Sequence, residues 1–210
     1  MRNRAQGFTL IEILVVITII ASLAGAVLIL VPKIQDQSKR TTCANNLRQL
    51  GAMFVAAQTA KPGRPPAVGA SLWLHFRKIH EIQEGKEAIL MCDGDQTVTR
   101  IATEADSKRY DDVDLSNPDT SLCSYMGRDF DNFPMSQEAP KGQIIGCDRN
   151  TANFRTVHHR GGLNVLWEDT AVQFLDRQYL QIEATEDIIV GPESPIELLK
   201  QVTYGPQRKD

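Results

Sequence analysis

The sequence predicts an α+β fold in which a long N-terminal helix is followed by a small head of antiparallel strands. Three observations predict this fold. Residues 8–31 are almost uniformly apolar, residues 33–60 have an amphipathic pattern of helical period, and short apolar runs separated by turn residues follow Ala60. A chain of 210 residues has room for one ordinary domain in addition to such a helix.

The first predicted element is a membrane-spanning helix over residues 8–31. At about 1.5 Å per residue this segment reaches roughly 36 Å, which is enough to cross a hydrocarbon core of about 30 Å. Arg2 and Arg4 precede it. The positive-inside rule therefore predicts a cytoplasmic N-terminus, a single pass through the membrane and an extracytoplasmic head.

Glu12 is the one charged residue inside the apolar run. An ionised carboxylate near the centre of a bilayer costs about 2.5–3.5 kcal/mol, so such a residue usually has a partner. Cleavage between Gly7 and Phe8 would create that partner, because the new amine of Phe8 would be largely cationic. Glu12 could then pair with its own Phe8 amine or with that of a neighbouring subunit, and the sequence leaves both pairings open.

The run GFTLIE at residues 7–12, followed by ILVVITIIA, resembles the processing signal of type IV prepilins and of type II secretion pseudopilins. The resemblance implies a pilin-like fold, cleavage between Gly7 and Phe8 by a prepilin peptidase, and N-methylation of Phe8. It also implies that Glu12 takes part in assembly with like pilin or pseudopilin subunits. The expected location is the inner membrane, where assembly machinery extracts the helix from membrane lipid and the head lies in the periplasm.

A stalk helix is predicted over residues 32–60, because apolar residues recur there at intervals of four and three. It should end near Ala60, since the sequence KPGRPP at residues 61–66 cannot continue a helix. The run CANNLRQLG at residues 43–51 resembles a signature of a pseudopilin-like family abundant in planctomycetes, and Gly51 would permit close approach of another backbone. The predicted core-facing positions are Cys43, Leu47, Leu50, Phe54 and Ala57.

The head is predicted to occupy residues 61–210, after a leader at residues 1–7. Its predicted elements alternate short helices and strands, with an exposed acidic loop at residues 104–119. Helices are expected at 71–84, with Ser71 as the capping residue, and at 196–202. Strands are expected at 87–92, 122–126, 143–147, 165–167, 171–175, 179–183 and 187–190.

His159 and Asp169 resemble an element of the same planctomycete family, in which His is followed after nine residues by Asp-Gly. Thr170 replaces the glycine here, which disfavours a turn that needs positive φ at that position. We expect the two residues to form a structural pair near a hairpin. A catalytic triad is not expected, because no serine or cysteine lies in a recognisable nucleophile elbow. The chain is therefore predicted not to be an enzyme.

The cysteines predict at least one disulfide, because an even number in an exported chain favours bridges, although small buried thiols are the alternative. They form no CxxC pair, and no metal ligand or cofactor is assigned. Calcium is a weaker possibility, since Asp93, Asp95 and residues 129–132 offer oxygen ligands without forming a twelve-residue calcium loop. The four candidates for disulfide formation are Cys43, Cys92, Cys123 and Cys147.

The net charge of −3 and the lack of a basic stripe make nucleic acid an unexpected partner. The leading hypothesis is a structural subunit that assembles through its N-terminal helix into a type II secretion or type IV pilus-like filament. The alternative is a solitary membrane-anchored head with a binding or enzymatic function. The sequence leaves open whether such a filament would serve secretion, adhesion or DNA uptake.

Overall fold

The structure is a computed structural model that describes residues 9–95, 104–119, 121–136, 142–149, 159, 161–183 and 186–205. The chain divides into two compact units, Met1–Ser38 and Lys39–Asp210. Its elements form an α+β, pilin-like fold, in which a long N-terminal apolar helix is followed by a small five-stranded antiparallel sheet. The boundaries predicted for the leader, the spanning helix, the stalk and the head stay predictions.

The described part of the first unit is the beginning of helix α1 (Leu10–Ala60). Its large apolar side chains are exposed, from Leu10 at 83% to Ile34 at 64%. Pro32 lies inside the helix, where it has no N–H to donate to the carbonyl of Leu28. Such a long apolar surface is costly in water, which indicates that another apolar environment covers it.

In the second unit, the remainder of α1 buries the stripe that its sequence predicts. Cys43, Leu47 and Leu50 have no exposed surface, and Phe54 stacks on Phe130 with ring centroids 5.8 Å apart. Ala57 is partly buried. The helix ends at Ala60, immediately before the proline-rich segment.

The five strands pair in the order β4-β3-β2-β1-β5, and every pairing is antiparallel. The residues of β1 and β2 are all buried, whereas β4 alternates between exposed and covered positions. This difference is expected because β4 is an edge strand. The strands are β1 (Tyr125–Arg128), β2 (Ile144–Asp148), β3 (Gly162–Trp167), β4 (Val172–Asp176) and β5 (Val202–Thr203).

Helix α1 and helix α2 (Ala70–Lys78) pack over the same part of the sheet. A Cβ atom added to Gly51 of α1 would lie 2.7 Å from Cδ1 of Leu166, and one added to Gly146 would lie 2.6 Å from Cζ2 of Trp73 in α2. Gly146 and Leu166 are paired across β2 and β3. Gly51 therefore permits close approach of the side chain of Leu166. The sequence suggested close approach of another backbone instead.

Helix α2 is shorter than predicted. It ends at Lys78 rather than near Glu84, and His80 follows it with a positive φ of 62°. Its N-cap is Gly69 instead of Ser71, whose hydroxyl donates to the carbonyl of Leu115 at 2.7 Å. The hydroxyl of Ser71 is thus used by a contact 44 residues away, which the local pattern could not reveal. At the other end of the helix, the left-handed conformation of His80 is incompatible with a continuing helix.

The strand predicted at residues 87–92 is wrong. The segment forms a 3₁₀ helix at Glu87–Leu90, and Asn46 of α1 donates to the carbonyl of Met91 at 2.9 Å. Glu87 has no exposed surface, and its carboxylate pairs with the buried guanidinium of Arg77, which offsets the cost of burying the charge. These distant contacts override the strand preference of the apolar run.

Three further segments differ from their predictions. The acidic stretch at residues 104–119 contains helix α3 (Glu104–Lys108), and Tyr110 and Val113 within it are buried. The edge strands expected at residues 179–183 and 187–190 are absent from the described part of those segments. The C-terminal helix reduces to a 3₁₀ turn at Leu199–Gln201 that leads into β5.

The two strands predicted at residues 165–167 and 171–175 are confirmed and pair as the hairpin of β3 and β4, although β3 begins earlier, at Gly162. Its loop follows Trp167, whose N–H donates to the carbonyl of Ala171 at 2.9 Å. Thr170 has a φ of 66°, in the left-handed region that glycine occupies in such three-residue loops. The turn thus forms although a β-branched residue stands at its most demanding position.

Candidate functional site

The N-terminal end of α1 is organised around Glu12 and Thr9. The carboxylate oxygen Oε2 of Glu12 accepts hydrogen bonds from the backbone N–H and from the hydroxyl of Thr9, both at 2.8 Å. Thr9 stands where an N-cap residue stands, and Glu12 follows three positions later, so the pair forms a capping box. The structure therefore adds a partner for Glu12 that sequence reasoning did not consider. The second oxygen, Oε1, accepts no hydrogen bond from the described residues.

The other polar side chains in the apolar run are satisfied within the helix itself. The hydroxyl of Thr18 donates to the carbonyl of Val15, and that of Ser22 donates to the carbonyl of Ile19, both at 2.8 Å. A hydroxyl bonded to its own helix needs no water. Among the described residues, α1 is the one helix long and apolar enough to cross a membrane, a conclusion that rests on length and composition.

Residues 2–28 match the family described as the prokaryotic N-terminal methylation motif. The chain has a pilin-type N-terminus. No curated protein and no solved structure matches the chain. The match covers most of the predicted leader and of the predicted spanning segment and does not reach the head, so the likeness to the planctomycete family stays a prediction.

The methylation motif supports a pilin-type subunit. It implies processing by a peptidase and assembly with other pilin subunits. Together with the apolar helix, it indicates a membrane-anchored protein. Gly7 and Phe8, the predicted cleavage and methylation site, lie outside the described residues.

The head does not bring His159 and Asp169 together, so the expected pairing of these two residues is wrong. His159 is buried and bridges to Gly162, the first residue of β3. Asp169 is exposed in the turn beyond Trp167, the last residue of β3, and accepts a hydrogen bond from the N–H of Ala171 at 2.9 Å. The strand between them holds the two side chains at opposite ends of the hairpin.

His159 lies instead in a buried cluster with Cys43, Cys92 and Asp148. Cys43 of α1 and Cys92 form a disulfide with Cα atoms 5.1 Å apart, across 49 positions of sequence. Nε2 of His159 is 3.3 Å from Sγ of Cys92 and 3.6 Å from Oδ2 of Asp148. One ligand atom from each of the four side chains lies within 4.8 Å of the others. We name these four residues the Cys-His-Asp cluster.

Asp148 is the residue of this cluster that sequence reasoning missed. Burial raises the pKa of its carboxyl to about 7, although the backbone N–H of Asn164 donates to Oδ2 at 2.7 Å and opposes that rise. Its other oxygen, Oδ1, is buried without a hydrogen bond from the described residues. No local signal singles out Asp148, because its proximity to Cys43 and Cys92 arises from sheet and helix packing.

The remaining two cysteines, Cys123 and Cys147, are buried thiols rather than a second disulfide. Burial raises the pKa of Cys123 to about 12 and that of Cys147 well above its ordinary value. Protonated, inaccessible thiols of this kind are poor nucleophiles. The disulfide prediction is thus confirmed for one pair, and the buried-thiol alternative describes the other.

Two of the acidic residues considered for calcium are paired with cations. Asp95 accepts a hydrogen bond from Nε of the buried Arg149 at 3.0 Å, and Asp131 forms an ion pair with Arg64. Asp129 is bonded within its own turn, to the N–H of Asp131 and to the side-chain amide of Asn132. These contacts occupy oxygens that a calcium ion would need.

Proposed function

We propose that this protein is a pseudopilin-like subunit of a type II secretion or type IV pilus-like filament, cleaved between Gly7 and Phe8 and N-methylated at Phe8. The proposal rests on one observation above all. A pilin-type motif over residues 2–28 leads into a helix whose apolar side chains are exposed along the described part of the first unit. A subunit that packs against copies of itself needs such a surface.

Glu12 is the proposed contact between subunits. Oε2 is held by Thr9, which fixes the rotamer of the carboxylate, whereas Oε1 accepts no hydrogen bond from the described residues. A cationic Phe8 amine of a neighbouring subunit would supply the missing donor and offset the cost of a carboxylate in lipid. Since each helix carries one such acid, the pair would also set the axial offset between adjacent helices.

The disulfide supports a mechanical role for the head. Cys43 lies on α1 and Cys92 lies beyond the 3₁₀ helix, so a covalent bond joins the C-terminal part of α1 to the second unit's core. A force applied to that part of the helix would be carried by this bond as well as by side-chain packing. A subunit displaced by inner-membrane assembly machinery would benefit from such a connection.

The decisive experiment compares three substitutions in the apolar run. Glu12→Ala removes both the capping contact and the proposed contact between subunits. Thr9→Val removes only the hydroxyl that donates to Glu12, and Ser22→Ala removes a hydroxyl that is bonded inside the helix. Each variant is expressed with the native assembly system, the membrane fraction is isolated, and sheared filaments and cysteine crosslinks between helices are quantified. Mass spectrometry of the mature N-terminus checks cleavage and methylation.

We expect Glu12→Ala to enter the membrane but to lose at least about tenfold in filament incorporation, which corresponds to roughly 1.4 kcal/mol. Thr9→Val and Ser22→Ala should incorporate normally. Equal loss in Glu12→Ala and Thr9→Val would mean that Glu12 only caps its own helix. Full incorporation of Glu12→Ala, or an intact Met1 in the mature chain, would contradict the proposal and favour a solitary membrane-anchored head.

A further inference from the structure

The Cys-His-Asp cluster combines four side chains that proteins use to hold zinc. Two sulfurs, one imidazole nitrogen and one carboxylate oxygen converge from four separate parts of the chain, and all four residues are buried. We propose that, when Cys43 and Cys92 are thiols, this cluster is a zinc site. The site does not depend on the proposed assembly function.

The observed distances suit tetrahedral coordination. Zinc binds sulfur at about 2.3 Å and nitrogen or oxygen at about 2.0–2.2 Å, so neighbouring ligands of a tetrahedral ion are about 3.3–3.8 Å apart. Nε2 of His159 is 3.3 Å from Sγ of Cys92 and 3.6 Å from Oδ2 of Asp148. These two edges already have the required length. When the disulfide is broken, the sulfurs of Cys43 and Cys92 can move apart until the distance between them also matches a tetrahedral edge.

Asp148 is prepared to act as a ligand. The N–H of Asn164 donates to Oδ2 and orients the carboxylate, a role that residues behind the metal ligands commonly have. Oδ1 is buried without a hydrogen bond from the described residues. A buried carboxylate that lacks a donor on one oxygen is costly, and a cation bound at Oδ2 would offset the charge of the whole carboxylate and so lower that cost.

The donor set selects zinc over the hard cations. Thiolate and imidazole ligands suit Zn²⁺, whereas Ca²⁺ and Mg²⁺ prefer oxygen. Two thiols would each release a proton on binding, and their negative charges would offset the charge of the ion. Because the same sulfurs form the disulfide, zinc and the disulfide exclude each other.

The zinc-bound state and the disulfide would each join α1 to the rest of the head, one before oxidation and the other after it. A newly made chain carries thiols, and zinc bound to Cys43, Cys92, Asp148 and His159 would then join α1 to the sheet. A second disulfide, on a small molecule or on another protein, then accepts two electrons from the two zinc-bound thiolates and, with two protons from solvent, becomes two thiols. The bond between the sulfurs of Cys43 and Cys92 forms, and the ion is released. In the test, a phosphine performs the reverse step: with one water it converts the disulfide into two thiols and becomes a phosphine oxide.

The experiment uses the full chain in mild detergent, either oxidised or reduced with a phosphine and then freed of reductant without air. Zinc chloride is the probe, and bound metal is measured by mass spectrometry after gel filtration. Cobalt(II) chloride is added in parallel, because thiolate ligands give it a charge-transfer band that oxygen and nitrogen ligands do not. Two double variants are matched: Cys43→Ser/Cys92→Ser removes two ligands, and Cys123→Ser/Cys147→Ser removes two other buried sulfurs.

We expect about one zinc per reduced chain and none per oxidised chain. The Cys123→Ser/Cys147→Ser variant should retain the ion and the cobalt band, and Cys43→Ser/Cys92→Ser should lose both. His159→Ala and Asp148→Asn should weaken zinc binding by on the order of 100-fold or more. Loss of a residue that only hydrogen-bonds to a metal ligand already costs about 10–100-fold in affinity, and loss of the ligand itself should cost at least as much.

Two results would overturn the proposal. The first is zinc binding by the reduced chain that does not exceed binding by Cys43→Ser/Cys92→Ser. The second concerns a reduced chain that unfolds. If adding zinc to that chain restores neither its native tryptophan fluorescence, from Trp73 and Trp167, nor its resistance to protease, the proposed site is refuted.

Discussion

Replacing Cys43 and Cys92 by alanine should lower the free energy of unfolding of the head, because it removes the covalent link between them. The proper comparison is the double variant Cys123→Ala/Cys147→Ala, because all four sulfurs are buried to the same degree. Each double variant removes two buried sulfur atoms, but only Cys43→Ala/Cys92→Ala removes a link between distant parts of the chain. The difference between the two variants therefore isolates the effect of that link.

The magnitude follows from the sequence separation of 49 residues. Closing a loop of that length lowers the entropy of the unfolded chain by about 14 cal/mol/K, which corresponds to about 4 kcal/mol at 25 °C. A domain of this size is typically stable by about 5–15 kcal/mol, so the expected loss is a large fraction of the whole. The denaturant slope should also rise, because the unlinked chain exposes more surface when it unfolds.

Urea unfolding of the full chain in mild detergent measures both quantities. It is followed by tryptophan fluorescence, which arises from the buried Trp73 and the partly buried Trp167. We expect Cys43→Ala/Cys92→Ala to be less stable than Cys123→Ala/Cys147→Ala by about 2–4 kcal/mol. A difference below about 1 kcal/mol would refute the reasoning, since the link would then constrain nothing that packing does not already constrain.

Two further predictions concern the head. Arg77→Met should lower the free energy of unfolding by about 3–5 kcal/mol at pH 7, because it leaves the fully buried carboxylate of Glu87 without its cation at 2.7 Å. Burial opposes ionisation of Glu87, but hydrogen bonds from Ser107 and Arg77 outweigh it and hold its pKa below the ordinary value. The stability from this ionisation is therefore present above the unfolded pKa of about 4.3 and is lost as pH falls through the folded pKa. Urea unfolding between pH 7 and pH 3 should show this acid-dependent loss in the natural chain and less of it in Glu87→Gln, and an equal loss in both would contradict it. Thr170→Gly should raise the melting temperature, because a left-handed conformation costs a residue with a side chain about 1–2 kcal/mol. Thr170→Ala keeps most of that cost and should raise the melting temperature less. Equal melting temperatures for the natural chain and Thr170→Gly would show that the loop bears no such cost.

Local features of the sequence were sufficient for the elements whose character is itself local. The apolar run, the stripe of Cys43, Leu47 and Leu50, and the proline-rich segment after Ala60 together predict the course of α1. The hairpin of β3 and β4 was also predictable, since two short apolar runs lie either side of three turn residues. In each case the pattern that predicts the element lies within the element or at its ends.

Errors arose where distant contacts decide the conformation. Residues 87–92 have the composition of a strand, yet Arg77 and Asn46 hold them in a 3₁₀ helix and an extended tail. The same applies to His159, whose buried neighbour is Asp148 on β2 rather than Asp169 on its own hairpin. An imidazole and a carboxylate ten residues apart are separated by the full length of a strand whenever that strand lies between them.

The sequence by itself determined the character of the N-terminus, because processing motifs and membrane-spanning helices are continuous runs whose physics depends on composition and length. It also indicated that cysteines would bridge. Only the tertiary structure decided which cysteines do so, and that Asp148 and His159 lie beside them. The physical reason is that sheet pairing and helix packing bring together residues that are far apart in sequence, such as Cys43 and His159, and nothing in the order of the chain records such proximity.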